Sequence, residues 1–204
     1  SSDLVDADAN SNLNEVLGVK VDTTLGDVRE EIAQAEMAAK SPIPAGMSKA
    51  DYAEVRFEDA LIEDDDFDLL VMGRTQGKGC YCYVNGLLQA QLAKYQNNYP
   101  YFVVDNEAGM EHISRGVLPS MQTAILVSDC SRRGIQAVGR IARLIEECNM
   151  HPSTVGLIVN RAPKGELNPG VLEEIENQGL NLLGVVPQND AVYEYDCEGR
   201  PTRS

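Results

Sequence analysis

Five short runs of apolar, partly β-branched residues recur along the chain, at 69–72, 101–104, 123–127, 155–159 and 182–186, and most intervals between them are long enough for a crossover helix. Each run is continuously apolar rather than alternating, so both faces of each strand are expected to be covered. The pattern predicts an α/β fold, a three-layer sandwich around a mostly parallel sheet. Helices are expected at about 25–39, 49–62, 84–96, 134–148 and 169–177, and Thr24 with Asp27 and Ser48 with Asp51 have the spacing of amino-terminal capping boxes. Residues 41–47, with two prolines and a glycine, read as a loop. The 204 residues, 43% hydrophobic and 24% charged, can bury one substantial core, and no repeat or linker interrupts them, so residues 1–204 are expected to form a single domain.

Charge narrows the function. With 17 basic against 32 acidic residues the net charge is −15, which repels nucleic acid and anionic membrane over most of the surface. No apolar run approaches the roughly 20 residues needed to span a bilayer, and the first residues carry neither the basic nor the apolar part of a signal peptide. A cytoplasmic protein that binds no nucleic acid and no membrane is expected. Five cysteines, an odd number, then point to reduced thiols rather than a disulfide framework. Cys130, Cys148 and Cys197 are isolated and read as small buried or incidental residues. His112 and His151 are also lone residues, in structural or loop roles. Arg132, Arg133, Arg140 and Arg143 cluster on one predicted helix and should pair with carboxylates or meet a partner. The acidic cluster 63–66, followed by Asp68, reads as a solvated helix end and loop leading into the strand at 69.

Chemistry concentrates at the ends of two runs. The run 101–104 ends abruptly in Asp105 and reaches Gly109 four residues later. A carboxylate at the exposed carboxyl end of a strand can face magnesium, and a glycine there can bring its backbone N–H against a phosphate. That combination belongs to a nucleotide hydrolase. Leu4, Val5 and Asp6 look like the last residues of another strand, followed by Asp8 in an acidic loop; so few residues precede them that this strand is expected to be poorly built. Cys80 and Cys82 lie one residue apart in a glycine-flanked segment. Two soft thiolates can converge there, yet they fill only half of a four-coordinate thiolate site, and a second copy could supply the rest. Two incidental loop cysteines are the alternative. The spacing permits square-planar Ni(II) and tetrahedral Zn(II) alike.

These motifs carry a resemblance. Asp6, Ala7 and Asp8 with Asn12 resemble switch I of the deviant Walker ATPases, the class that contains MinD, the nitrogenase iron protein and chromosome-partition ATPases, and the segment 105–109 resembles their switch II and Walker B motif. Together with Gly79-Cys80-Tyr81-Cys82 and the segment 69–74, nearly the whole chain resembles the CooC-type nickel-inserting maturation ATPases of carbon monoxide dehydrogenase. The resemblance implies that Asp105 holds magnesium through its water shell, Asp8 orients or deprotonates the attacking water, Gly109 senses the γ-phosphate, and Asp6 and Asn12 complete the nucleotide and magnesium side. It implies that Asn160 and Arg161 read the adenine edge and that Pro187 and Asn189 form the opposite wall of the base pocket.

By the same resemblance, ATP would draw two copies into a homodimer whose four thiolates take nickel or zinc, and hydrolysis to ADP would release the metal toward carbon monoxide dehydrogenase or acetyl-CoA synthase. The competing functions are a MinD- or ParA-like positioning or partition ATPase, which should carry an amphipathic membrane helix or a basic face, a dethiobiotin-type ligase, which has no use for paired cysteines, and a non-catalytic metal carrier, which lacks nucleotide dependence.

Proteins of this class open with a strand, a lysine-containing glycine-rich phosphate loop and a helix. The nearest candidate, residues 73–79, lacks Ser or Thr after Lys78 and is one residue too short between its glycines. An amino-terminal truncation of roughly 30 residues is therefore expected, with the absent strand lying beside the run that ends at Asp105. The purified 204-residue chain should neither hydrolyse ATP nor remain a stable monomer. Phosphate release and solution mass check this, and sustained turnover refutes it.

Overall fold

The computed structural model describes residues 2–8, 11–37, 43–73, 90, 92–106 and 121–203. They gather into two compact units, 1–108 with 195–204, and 109–194.

In the first unit, β1 (Ser2–Asp6) lies between β3 (Phe67–Val71) and β4 (Phe102–Asp105), parallel to both, and β2 (Ile62–Glu63) adds an antiparallel edge to β3. The strand expected to be poorly built is thus paired on both sides. Leu4 is in register with Leu69 and Val103, and Val5 with Leu70 and Val104. Two ladders and burial on both faces stabilise five residues that could not stand as a strand alone.

Two helices, α2 (Leu25–Met37) and α3 (Lys49–Asp59), cover one face, packing Leu25, Val28, Ile32 and Phe57 with Val5 and Leu70. The short α1 (Leu13–Leu17) contributes Leu13 and Leu17 to a second cluster with Phe67, Leu69 and Val71. Each large side chain so buried contributes roughly 1.5–3 kcal/mol. Both predicted capping boxes form: Ser48 and Asp51 exchange backbone N–H bonds reciprocally, and Thr24 and Asp27 do the same at the start of α2.

Two boundaries differ from expectation. α3 stops at Asp59 because Ile62 and Glu63 leave the helix to pair with Leu69 and Asp68. The acidic cluster is therefore a hairpin turn rather than a helix end. Its charge is partly balanced by Arg203, which donates to Asp64 at 3.1 Å and Asp66 at 2.7 Å and lies over the Phe67 ring.

The second unit holds a parallel sheet in the order β5 (Thr123–Asp129), β6 (Thr154–Ala162), β7 (Leu182–Pro187). α4 (Arg132–Glu147) and α5 (Pro169–Asn177) cover one face, and Ile135, Val138, Ile145, Val171 and Ile175 pack on Leu126, Leu157 and Val159. Arg132 pairs with the buried Glu174 at 2.7 Å, as the arginine cluster suggested. Hydrogen bonds from Gln178 and then Arg132 hold the Glu174 carboxyl below its ordinary pKa. Burial along β5 alternates, with Ala124, Leu126 and Ser128 inside while Ile125 and Val127 stay 54% and 59% exposed. Continuous hydrophobicity predicted cover on both faces of this strand, and among the described residues only one is covered. The last helix, α6 (Asp190–Glu198), includes Cys197, which is exposed.

Asp3 is the anomaly of β1. It has no exposed surface, and neither carboxylate oxygen finds a hydrogen-bond partner among the described residues. Asp68 lies in register with it on β3. Burial, and then the charge of Asp68, push the Asp3 pKa up to about 7. Tyr99, whose own pKa is raised by burial and by its bond with Asp68, and Tyr95 complete the surroundings. From its unfolded value of 3.8 up to about pH 7, the folded chain holds a proton that the unfolded chain has released. Stability from this group is therefore fullest at low pH and is lost as pH rises through 7. Urea unfolding should show a loss of about 2–3 kcal/mol between pH 5 and 8, and Asp3→Val should remove most of that slope while raising stability at pH 8.

Candidate functional site

Adjacent parallel strands bring the acidic residues together. Asp6 ends β1 and Asp105 ends β4, and the two are in direct register, so both carboxylates emerge at the same level of the carboxyl edge. Asp6 is 1% exposed and bonded at both oxygens: one accepts the Asp8 N–H at 3.1 Å and the other the Leu13 N–H at 3.0 Å. Its backbone carbonyl accepts the Met72 N–H at 2.8 Å, and the Ala7 N–H donates to the Asp105 carbonyl at 2.8 Å. Asp6 thus turns the chain after β1 and starts α1. It shapes the loop that presents Asp8, and with one N–H bond on each oxygen it keeps a lone pair per oxygen for a further donor or a cation.

Asp105 is the group poised for charge neutralisation. Burial first, then the charges of Asp6 and Asp8, raise its pKa. A divalent cation between these acids would reverse that penalty, so lowering pH should weaken such binding. Among the described residues no three His, Cys, Asp or Glu side chains converge on one metal position. The donor set fits magnesium bound by one or two carboxylates, with waters and phosphate oxygens completing its shell, rather than an all-protein cage. Asn12 precedes α1, and its side chain makes no capping bond there.

Behind the acids lies a joint that the motifs did not reveal. Ser11, at φ +46°, donates its N–H to the Asp8 carbonyl at 3.1 Å and its hydroxyl to the same oxygen at 3.0 Å, and that hydroxyl accepts the Gly73 N–H at 3.1 Å. Gly73 has φ +65°, and a Cβ on it would lie 2.5 Å from Thr24 Oγ1. The preceding carbonyl, of Met72, accepts the Gly26 N–H at 2.8 Å. No spacing pattern links Ser11 to Gly73; glycine just beyond an apolar run was the only available signal.

In the second unit, β6 continues through Asn160 and Arg161 instead of closing at Val159. A register shift between Val159 and Ala162 accompanies φ +56° at Arg161, whose N–H is held by Asn160 Oδ1 at 2.8 Å. Ala162 is in register with Pro187, the Gln188 N–H donates to the Ala162 carbonyl at 2.9 Å, and Asn189 accepts the Ala191 N–H at the start of α6. Asn160, Arg161, Pro187 and Asn189 therefore share the carboxyl end of their own sheet. Cys130, beside them, lies 3.7 Å from the Arg161 carbonyl. Cys80, Cys82, Gly109 and His112 lie outside the described residues.

A family model for the CobQ/CobB/MinD/ParA nucleotide-binding domain matches residues 2–202. The chain belongs to this family. An uncharacterized ATP-binding protein of Methanocaldococcus jannaschii is 39% identical over 198 residues, covering 97% of this chain and 77% of that protein. The carbon monoxide dehydrogenase accessory protein CooC of Rhodospirillum rubrum is 26% identical over 145 residues, 70% of this chain and 54% of its own length. The solved structure of the cell division ATPase MinD from Pyrococcus furiosus matches with a TM-score of 0.66 at 21% identity, over 98% of this chain and 76% of that one, which shows the shared fold. Membership makes this an ATP-binding α/β protein of the P-loop ATPase class, and no helix among the described residues is long and apolar enough to cross a membrane.

Gly73→Ala forces a side chain into a left-handed position already filled by Thr24. The backbone alone should cost about 1–2 kcal/mol, with the overlap adding to it. Urea titration should show a lower midpoint with an unchanged slope.

Proposed function

We propose that this chain is the larger part of an ATP-dependent metallochaperone, in which ATP binding and hydrolysis drive dimerisation and the insertion of nickel into a carbon monoxide dehydrogenase or acetyl-CoA synthase. The observation that carries the nucleotide half is the register of Asp6 with Asp105, with Asp8 held beside them by Asp6. The paired thiols Cys80 and Cys82, together with the similarity to CooC, support the metal half.

In this reading Asp8 faces the water that attacks the γ-phosphorus. Asp8 takes a proton from that water as the new P–O bond forms, and the bond from the γ-phosphorus to the bridging oxygen breaks, leaving ADP and inorganic phosphate. Asp105 would hold magnesium, which when bound would supply neutralisation of the phosphate charge. Asp6 sets the height of the Asp8 loop, Asn12 contributes to the nucleotide and magnesium side, and Gly109 reads the γ-phosphate with its backbone. Asn160 and Arg161 recognise the adenine edge opposite Pro187 and Asn189. Nickel or zinc is the cargo, held by two thiolates from each of two copies, and binding of cargo and nucleotide reinforce each other because both favour the closed dimer.

Among the described residues β4 pairs on one side only and leaves Val103 half-exposed, an edge open to a further strand. A MinD-like positioning ATPase is the second reading, favoured by the shared fold and by the MinD relative from Bacillus subtilis.

Nickel binding and dimer mass of the intact protein, each measured with and without ATP, separate the two. The chaperone should bind one nickel per dimer, more tightly with ATP, and Cys80→Ala or Cys82→Ala should abolish that stoichiometry. Retention of one nickel per dimer in either variant counts decisively against the reading.

A further inference from the structure

We propose that Ser11 is a positioning residue whose hydroxyl couples the Asp8 loop to the chain that follows Gly73. The inference rests on the nucleotide-hydrolase reading of Asp8 and adds to it the route by which nucleotide state leaves the site.

One hydroxyl carries one proton and two lone pairs, so it can donate to the Asp8 carbonyl and accept from the Gly73 N–H at the same time, as the 3.0 and 3.1 Å distances have it. Ser11 holds this bridge from a left-handed backbone conformation that L-residues other than Gly, Asn and Asp adopt at a cost. On the receiving side Gly73 has little freedom. Thr24 crowds its α-carbon, while Met72 is tied through its N–H to the Asp6 carbonyl and through its carbonyl to the Gly26 N–H. The bridge thus joins a loop that must respond to phosphate and cation to a joint fixed on the amino end of α2. A shift of the Asp8 carbonyl either carries Gly73 with it or breaks the bridge. Cys80 and Cys82 follow Gly73 by seven and nine residues in sequence, so the segment leaving this joint is the one that bears the paired thiols.

The test uses amide hydrogen exchange of the intact protein, read on peptides spanning residues 73–89, with ATP binding titrated in parallel. Ser11→Gly removes the hydroxyl while relaxing the backbone, so the fold is kept; Ser11→Ala removes the hydroxyl and retains the strain. Without nucleotide, exchange at Gly73 should rise about fivefold in both variants. With ATP and magnesium, the wild type should show slowed exchange across 74–89, and both variants should lose that response while binding ATP within about threefold of wild type. Loss in Ser11→Ala alone would assign the effect to backbone strain and overturn the proposal. A full nucleotide response in Ser11→Gly, or none in a wild type that binds ATP, also overturns it. Failure of the wild type to bind ATP would instead sink the hydrolase reading and the relay with it, and the titration tells the two failures apart.

Discussion

The first unit depends on one carboxylate. Asp6 ends a strand that is paired on both sides, and its two oxygens hold the backbone of the loop and helix that follow. Because charge-assisted bonds to backbone N–H groups are among the stronger ones available, this arrangement fixes the height of Asp8 relative to Asp105. The same residue gives its carbonyl to Met72 and so registers the end of β3 against the end of β1. The geometry on which phosphate chemistry would rest is a consequence of how one buried acid satisfies its lone pairs.

β1 holds a second buried acid with the opposite fate. Asp3 has the same two ladders around it and no donor for either oxygen among the described residues. Its proton is retained to about pH 7, whereas Asp6 is held by two backbone amides. Two aspartates three residues apart therefore act in opposed ways, one organising a loop and the other drawing stability from the strand as pH rises. The pKa of Asp105 is also raised, by burial and by its acidic neighbours. Mutual repulsion among carboxylates is tolerated at the carboxyl end of a sheet because that is where a cation and a phosphate chain can offset it.

Local signals in the sequence were good guides wherever local physics decides. The capping residues Ser48 and Asp51 mark the start of α3, and Pro169 and Asn177 bound α5 as expected. Strands β3 to β7 follow their apolar runs to within a few residues. β2 escaped notice because two residues have no period, and α1 because it is held by Asp6 rather than by its own propensity. The placement of Asp6, Asp8 and Asp105 at or just beyond strand ends was legible from an acid at the end of an apolar run. Ser11 and Gly73 were not, since their hydrogen bond joins positions 62 apart in sequence.

The sequence by itself determined the alternation of strands and helices, the acids at strand ends, the paired thiols and the strongly acidic surface, because each is written in periodicity or composition. Only the tertiary structure decided that β1 is a central strand, that Asp6 holds a loop in register with Asp105, and that a serine hydroxyl bridges to Gly73. Those outcomes depend on which distant backbone groups arrive beside a side chain, and the order of strands in a sheet sets that arrival rather than the order of residues in the chain.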